Sequence, residues 1–192
     1  MKEQIILGID PGTSVTGFGL IKVEGKLVSL IDLGVIKTGS TDDHPLKLKK
    51  IFEGVLGIIE THHPDSMAIE APFFGKNIQS MLKLGRAQGV AMAAAMYRNI
   101  PLSEYSPKKI KQSITGNGNA SKEQVSSMLQ ALLKFNGHPE YLDATDGLAA
   151  AVCHYLQNDL TLSQKKSTKN PAKKHTGWAS YVTGNPDKII KK

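Results

Sequence analysis

The chain has 192 residues, a hydrophobic share of 40% and a single cysteine, Cys153. These values suit one globular domain with an appendage, and they exclude an internal disulfide framework and a cysteine-built zinc site. The net charge of +7 is concentrated at one end: residues 160–192 carry eight lysines and one aspartate, while residues 1–159 hold 16 basic and 16 acidic side chains. A lysine-rich end of this kind either meets a polyanion or simply solubilises the chain. No apolar run approaches the length of a membrane span, and the N-terminus carries no signal-peptide pattern. A cytoplasmic setting without membrane contact is therefore expected.

Residues 4–38 read as three consecutive strands, Gln4–Asp10, Val15–Val23 and Leu27–Lys37, the last two joined by the tight turn Glu24-Gly25-Lys26. The first is an apolar run (Ile5, Ile6, Leu7, Ile9) that delivers a carboxylate, Asp10, followed at once by Pro11-Gly12. An acid at the end of a buried strand needs a divalent metal, a lysine or arginine partner, or a ring of backbone amides. Gly12, Gly17 and Gly19 leave room beside the backbone here.

Leu46–Thr61 carries Leu48, Ile51, Phe52, Val55, Ile58 and Ile59 at helical spacing, and His62-His63-Pro64 ends it. The histidine pair is read as a helix-end feature rather than a metal site. Ser66–Glu70 repeats the arrangement at Asp10: a short apolar strand, an acid, then Ala71-Pro72. If these strands lie parallel in one sheet, Asp10 and Glu70 meet at its carboxyl edge, where open α/β sheets place their ligands.

Phe73-Phe74-Gly75-Lys76-Asn77 is a loop with two aromatic rings and a lysine; one ring is expected to be exposed and free to stack on or wedge between bases. Ile78–Arg98 is the longest helical pattern. Its Ala-, Gly- and Met-rich half suits burial within the monomer or close approach of a second copy. Pro101–Tyr105 is a strand, and Ser106-Pro107 caps a helix bearing Lys108, Lys109 and Lys111. With the loop Thr115–Ala120, these lysines form a phosphate cradle or a solvated face. Ser121–Phe135 resumes helix with a capping-box signal at Ser121 and Gln124. In the last helix Asp143 and Asp146 lie at i and i+3, on one face of the first turn. One aspartate there suits the helix dipole, but two repel each other. Cys153 and His154 are read as structural. From Asn158 on, the chain is polar and lysine-rich, and a flexible tail is expected.

The order βββ-α-β-α-β-α-α, with a short polar helix inside, defines an α/β protein. Its four prominent acids, Asp10, Glu70, Asp143 and Asp146, appear without nearby basic partners. All-oxygen ligands suit Mg²⁺ or Mn²⁺ rather than Zn²⁺. A pair of such ions is a common apparatus for phosphodiester hydrolysis.

GIDPG at 8–12, AIE at 68–70, KLGRAQG at 83–89, KQSITGNGNASKEQV at 111–125 and DATDGLAAAVCH at 143–154 together resemble the RuvC family of Holliday junction resolvases. The resemblance covers about residues 4–157. It implies an RNase H-like fold with a mixed five-stranded sheet flanked by helices, a nuclease domain over 1–157 and the lysine-rich tail over 158–192. It implies a homodimer that nicks two strands of a four-way DNA junction symmetrically, with Mg²⁺, two ions per site, and Mn²⁺ as a substitute. RuvA and RuvB are the implied protein partners. Asp10, Glu70, Asp143 and Asp146 match the family's catalytic, metal-binding acids. Phe73 matches an aromatic that engages bases near the crossover, Lys111 and Lys122 match lysines that meet DNA, and Lys76 joins them as a DNA-binding candidate.

Two other readings were open. Asp10-Pro11-Gly12-Thr13-Ser14 also resembles the phosphate loop of the actin and Hsp70 ATPases, but that fold needs a second domain and a second loop that this length excludes. A YqgF-type nuclease, or a junction-binding protein without cleavage, would share the fold.

Overall fold

The computed structural model describes residues 3–72, 77–135 and 142–167, with side chains described as far as Asn158. The elements, in chain order, are β1 (Glu3–Asp10), β2 (Val15–Glu24), β3 (Leu27–Lys37), α1 (His44–His62), β4 (Ser66–Glu70), α2 (Ile78–Tyr97), β5 (Leu102–Tyr105), α3 (Pro107–Thr115), α4 (Lys122–Leu133) and α5 (Leu142–Ser167). Residues up to Asn158 form one compact unit; those from Asp159 on form another. Of the second, the described part is helical to Ser167, so α5 continues past the point where the sequence suggests a tail.

One sheet in the order β3-β2-β1-β4-β5 organises the first unit. β1–β2 and β2–β3 are antiparallel, while β1–β4 and β4–β5 are parallel, which makes the five-stranded sheet mixed as expected. Alternation along each strand sorts side chains between the two faces. Leu7, Ile9, Leu20, Met67 and Ile69 pack on one side against Ile51, Val55 and Ile59 of α1 and Ala87, Ala91, Ala94 and Ala95 of α2. Ile6, Ile21, Val23 and Ala68 point to the other side, against Ile110 and Ile114 of α3, Val125 and Leu129 of α4, and Leu148 and Val152 of α5.

Helix ends follow their sequence signals. Ser106 accepts from the Lys109 amide with Pro107 in the first turn, Ser121 and Gln124 complete a capping box, and His63 ends α1 in the left-handed region at φ 47°. His62 faces Asp32 at 3.5 Å, an ordinary surface pairing. Cys153 and His154 are buried on α5. The His154 ring is held by the Tyr105 hydroxyl at 2.8 Å and the Asn158 amide at 3.1 Å, and burial lowers its pKa, so it stays neutral within the core.

Candidate active site

The alternation that builds the core also aims the acids. Along β1, Ile6 faces the α3–α5 side, so Gly8 and Asp10 do too; along β4, Ala68 and then Glu70 share that face. The parallel register pairs Gly8 with Ala68 and Ile9 with Ile69, which brings Asp10 and Glu70 side by side at the strand ends. The Pro11-Gly12 turn after Asp10 is tied down by Thr16, whose buried hydroxyl donates to the Gly12 carbonyl at 2.8 Å.

The third and fourth acids arrive because α5 lies almost on the sheet backbone. A Cβ on Gly8 would stand 2.1 Å from the Gly147 carbonyl oxygen, one on Gly19 2.5 Å from Leu148 Cα, and one on Gly17 1.8 Å from the Asp143 carbonyl oxygen. Gly17 is the cross-strand partner of Asp10. The missing side chain beside Asp10 thus seats the first turn of α5. Gly147 completes the fit from the helix side, 2.7 Å from Gly17 when given a Cβ. Asp10, Asp143 and Asp146 then each offer a carboxylate oxygen within 4.8 Å of the others'. Glu70 stands outside that trio but lines the same cavity as Asp10 and Asp146.

The cavity, about 520 Å³, is lined by lysines as well as by these acids. Lys108 and Lys111 of α3, Gly118, Asn119 and Lys122 line it, together with Ser106 at the α3 cap. Lys109 does not, because successive helix positions diverge; of the lysine-rich turn, only residues at i and i+3 share the face. Phe73 and Lys76 lie outside the described residues.

Sequence reasoning names Lys122 as a lysine that meets DNA but misses its pairing with the acids. The acids do have a basic partner: Lys122 Nζ lies 2.5 Å from Asp146 Oδ2 and 3.7 Å from Asp143 Oδ1. The sequence carries only a weak signal for this pair. The lysines stand far from the aspartates along the chain, and a cation in the first turn of α4 opposes the helix dipole.

Lys122, with Lys111 acting on Glu70 and Asp146, does not offset the gathered negative charge. Burial, then the charge of Asp146, pushes Asp10 up to about 6. Burial, then the charges of Asp10 and Asp146, pushes Glu70 up to about 8. Asp146 is raised as well, by burial, against the lowering effect of Lys122. Burial lowers the Lys122 pKa, but the hydrogen bond and the surrounding carboxylates outweigh it, so the net shift is upward. A cluster that holds protons so firmly is short of positive charge. Hard oxygen donors at this spacing suit a divalent metal ion.

Fold and site together define an RNase H-like protein whose strand-end and helix-start carboxylates form a group able to hold a divalent metal at a cavity that three lysines also line. The sequence matches the family described as crossover junction endodeoxyribonuclease RuvC over residues 6–154, and the chain belongs to that family. A crossover junction endodeoxyribonuclease RuvC of Christiangramia forsetii is 58% identical over 187 residues, 97% of this chain and 93% of that protein. The Bacteroides fragilis protein of the same name is 53% identical over 191 residues, covering 98% of this chain and 97% of its own. Among solved structures, Thermus thermophilus RuvC in complex with a Holliday junction substrate superposes with a TM-score of 0.77 at 29% identity, over 82% of this chain and 96% of that one.

Proposed function

We propose that this chain is a Holliday junction resolvase, an endonuclease that hydrolyses a phosphodiester in each of two strands, placed symmetrically near the crossover of a four-way DNA junction. The observation that carries the reading is the meeting of Asp10 and Glu70, from adjacent parallel strands, with Asp146 from α5 in a cavity that Lys108 and Lys111 also line. Membership of the RuvC family supports it. A protein that binds junctions without cutting them would have no use for this charge-strained acid cluster, and the family match disfavours the YqgF-type alternative.

Asp10, Glu70, Asp143 and Asp146 would hold the metal, Mg²⁺ with two ions per site and Mn²⁺ as a substitute. When bound, the ions supply activation of the attacking water and neutralisation of charge on the scissile phosphate. The chain's own groups do the rest. Lys111 and Lys108 draw the DNA backbone into the cavity by charge. Asn119 and Ser106 add polar groups on the same wall. The Glu70 carboxyl retains a proton near neutrality until a stronger cation displaces it. Phe73 and Lys76 are proposed to contact DNA bases and backbone beside the cut.

Symmetric cutting calls for two sites, and we read the molecule as a homodimer. Ile78, Leu82 and Met96 are exposed along the outer side of α2, and the space at Gly85 and Gly89 is open. This stripe faces away from the alanines that pack on the sheet. The nuclease unit is assigned to residues 1–157 and the lysine-rich appendage to 158–192. RuvA and RuvB are the proposed partners, with the cytoplasm as the setting.

The test is cleavage of a synthetic four-way junction with Mg²⁺. The chain should produce paired, symmetric nicks. Asp10→Asn should bind the junction normally and cut at least a hundredfold more slowly, since charge stabilisation at the reacting phosphate is lost. Binding without cutting by the unaltered chain would defeat the enzyme reading.

A further inference from the structure

We propose that Lys122 is an internal counter-ion of the acid cluster, expelled when divalent metal enters, so that metal loading itself turns this ammonium toward the DNA phosphate. The inference rests on the metal reading of the site given above.

The ammonium lies 2.5 Å from Asp146 and 3.7 Å from Asp143, two of the three acids whose oxygens converge within 4.8 Å. A divalent ion bound by those oxygens would share them with a cation already in contact. Two cations on one set of carboxylates repel, so the ion and Lys122 compete.

The backbone of Lys122 has no freedom to retreat. Ser121 caps α4, accepting from the Gln124 amide, while the Gln124 side chain accepts from the Ser121 amide at 2.9 Å. Movement is therefore confined to the side chain. Its Nζ position is half-exposed, and the space open to it is the cavity it already lines with Lys108, Lys111 and Asn119. Displaced from Asp146, the ammonium joins the lysines that would hold DNA.

Position argues the same way. A cation in the first helical turn is disfavoured by the dipole. The ion pair with α5 compensates for this only while the acids lack another partner. Lys111 lines the same cavity and its charge acts on Glu70 and Asp146 through space, but none of the ion pairs among the described residues joins it to the acids. It is therefore the natural control.

The experiment uses the full chain without DNA and Mn²⁺ as probe, with free Mn²⁺ followed by electron paramagnetic resonance. Lys122→Gln should bind Mn²⁺ about fivefold more tightly than the unaltered chain, the scale of a half-exposed ion pair. Lys111→Gln should change it less than twofold. In parallel, acylation of Lys122, read by mass spectrometry, should speed up when Mn²⁺ is added to the unaltered chain and stay constant in Asp10→Asn. Equal gains in the two lysine variants would show a general charge effect and overturn the proposal. So would unchanged or weaker binding by Lys122→Gln, or Lys122 acylation indifferent to Mn²⁺. If Asp10→Asn binds Mn²⁺ as well as the unaltered chain, the metal reading itself fails, and the proposal with it.

Discussion

Glu70 and Asp10 are two carboxylates whose protons are hard to remove, one raised to about 8 and the other to about 6 from the ordinary 4.5 and 3.8. The sign of the consequence follows directly. Between the ordinary and raised values the folded chain holds protons that the unfolded chain has released. Without metal, stability at this site is therefore present at low pH and lost as pH rises from about 4 to about 8. Metal must displace the same protons. Apparent Mn²⁺ affinity should strengthen about tenfold per pH unit below 8, where Glu70 gives up one proton, and more steeply below 6, where Asp10 adds a second. Calorimetric titration in buffers of different ionisation heat counts the released protons. A pH-independent affinity would show that these carboxyls do not bind the ion. Both acids are legible in the sequence because each ends an apolar strand and precedes a proline by no more than two residues. Their shared face follows from alternation along the strands. The pairing of Lys122 is not legible, since nothing local marks a lysine in a first helical turn as the partner of an aspartate on the next helix.

At the scale of elements, glycines set where α5 rests. Their spacing along β2 reads in the sequence as room near the backbone; what fills the room does not, because α5 comes from the far end of the chain. Gly17→Ala would force a Cβ to within 1.8 Å of the Asp143 carbonyl oxygen, so α5 must lift away from the sheet. The cost should be about 1–3 kcal/mol or more of stability, with loss of Mn²⁺ binding, because two of the acids move off with the helix. Gly57 on α1 offers the opposite case, with nothing within 4 Å of its missing Cβ. Gly57→Ala should stabilise the chain by about 0.5–1 kcal/mol and leave metal binding unaltered. Denaturant unfolding of the two variants compares them directly. The element order and most boundaries follow from periodicity and capping residues such as Ser106 and Ser121. The end of α5 does not, because its polar residues up to Ser167 carry no apolar stripe to mark them as helix.

For the whole molecule, the question is whether the proposed homodimer is built through α2. Leu82 is 52% exposed in the middle of the apolar outer side of α2. Leu82→Glu would set like charges face to face across a two-fold contact there. Sedimentation should then find monomer at micromolar concentration, with nicks on a junction no longer paired in time. A dimer that persists would move the interface elsewhere. The same helix shows the limit of composition as a guide: its small residues are compatible with either burial or pairing, and the fold uses Ala87, Ala91, Ala94 and Ala95 for burial on the sheet, leaving a different set outside.

The docking of α5 onto bare strand backbone also governs when the molecule becomes dangerous to DNA. A chain still emerging from the ribosome carries Asp10 and Glu70 early, on strands that pair close to one another. Asp143 and Asp146 are made last, and Lys122 only shortly before them. Until α5 has been synthesised and has found the glycine strip, the cluster lacks Asp143 and Asp146. On the proposed function, nuclease competence waits on the docking of α5 onto the sheet.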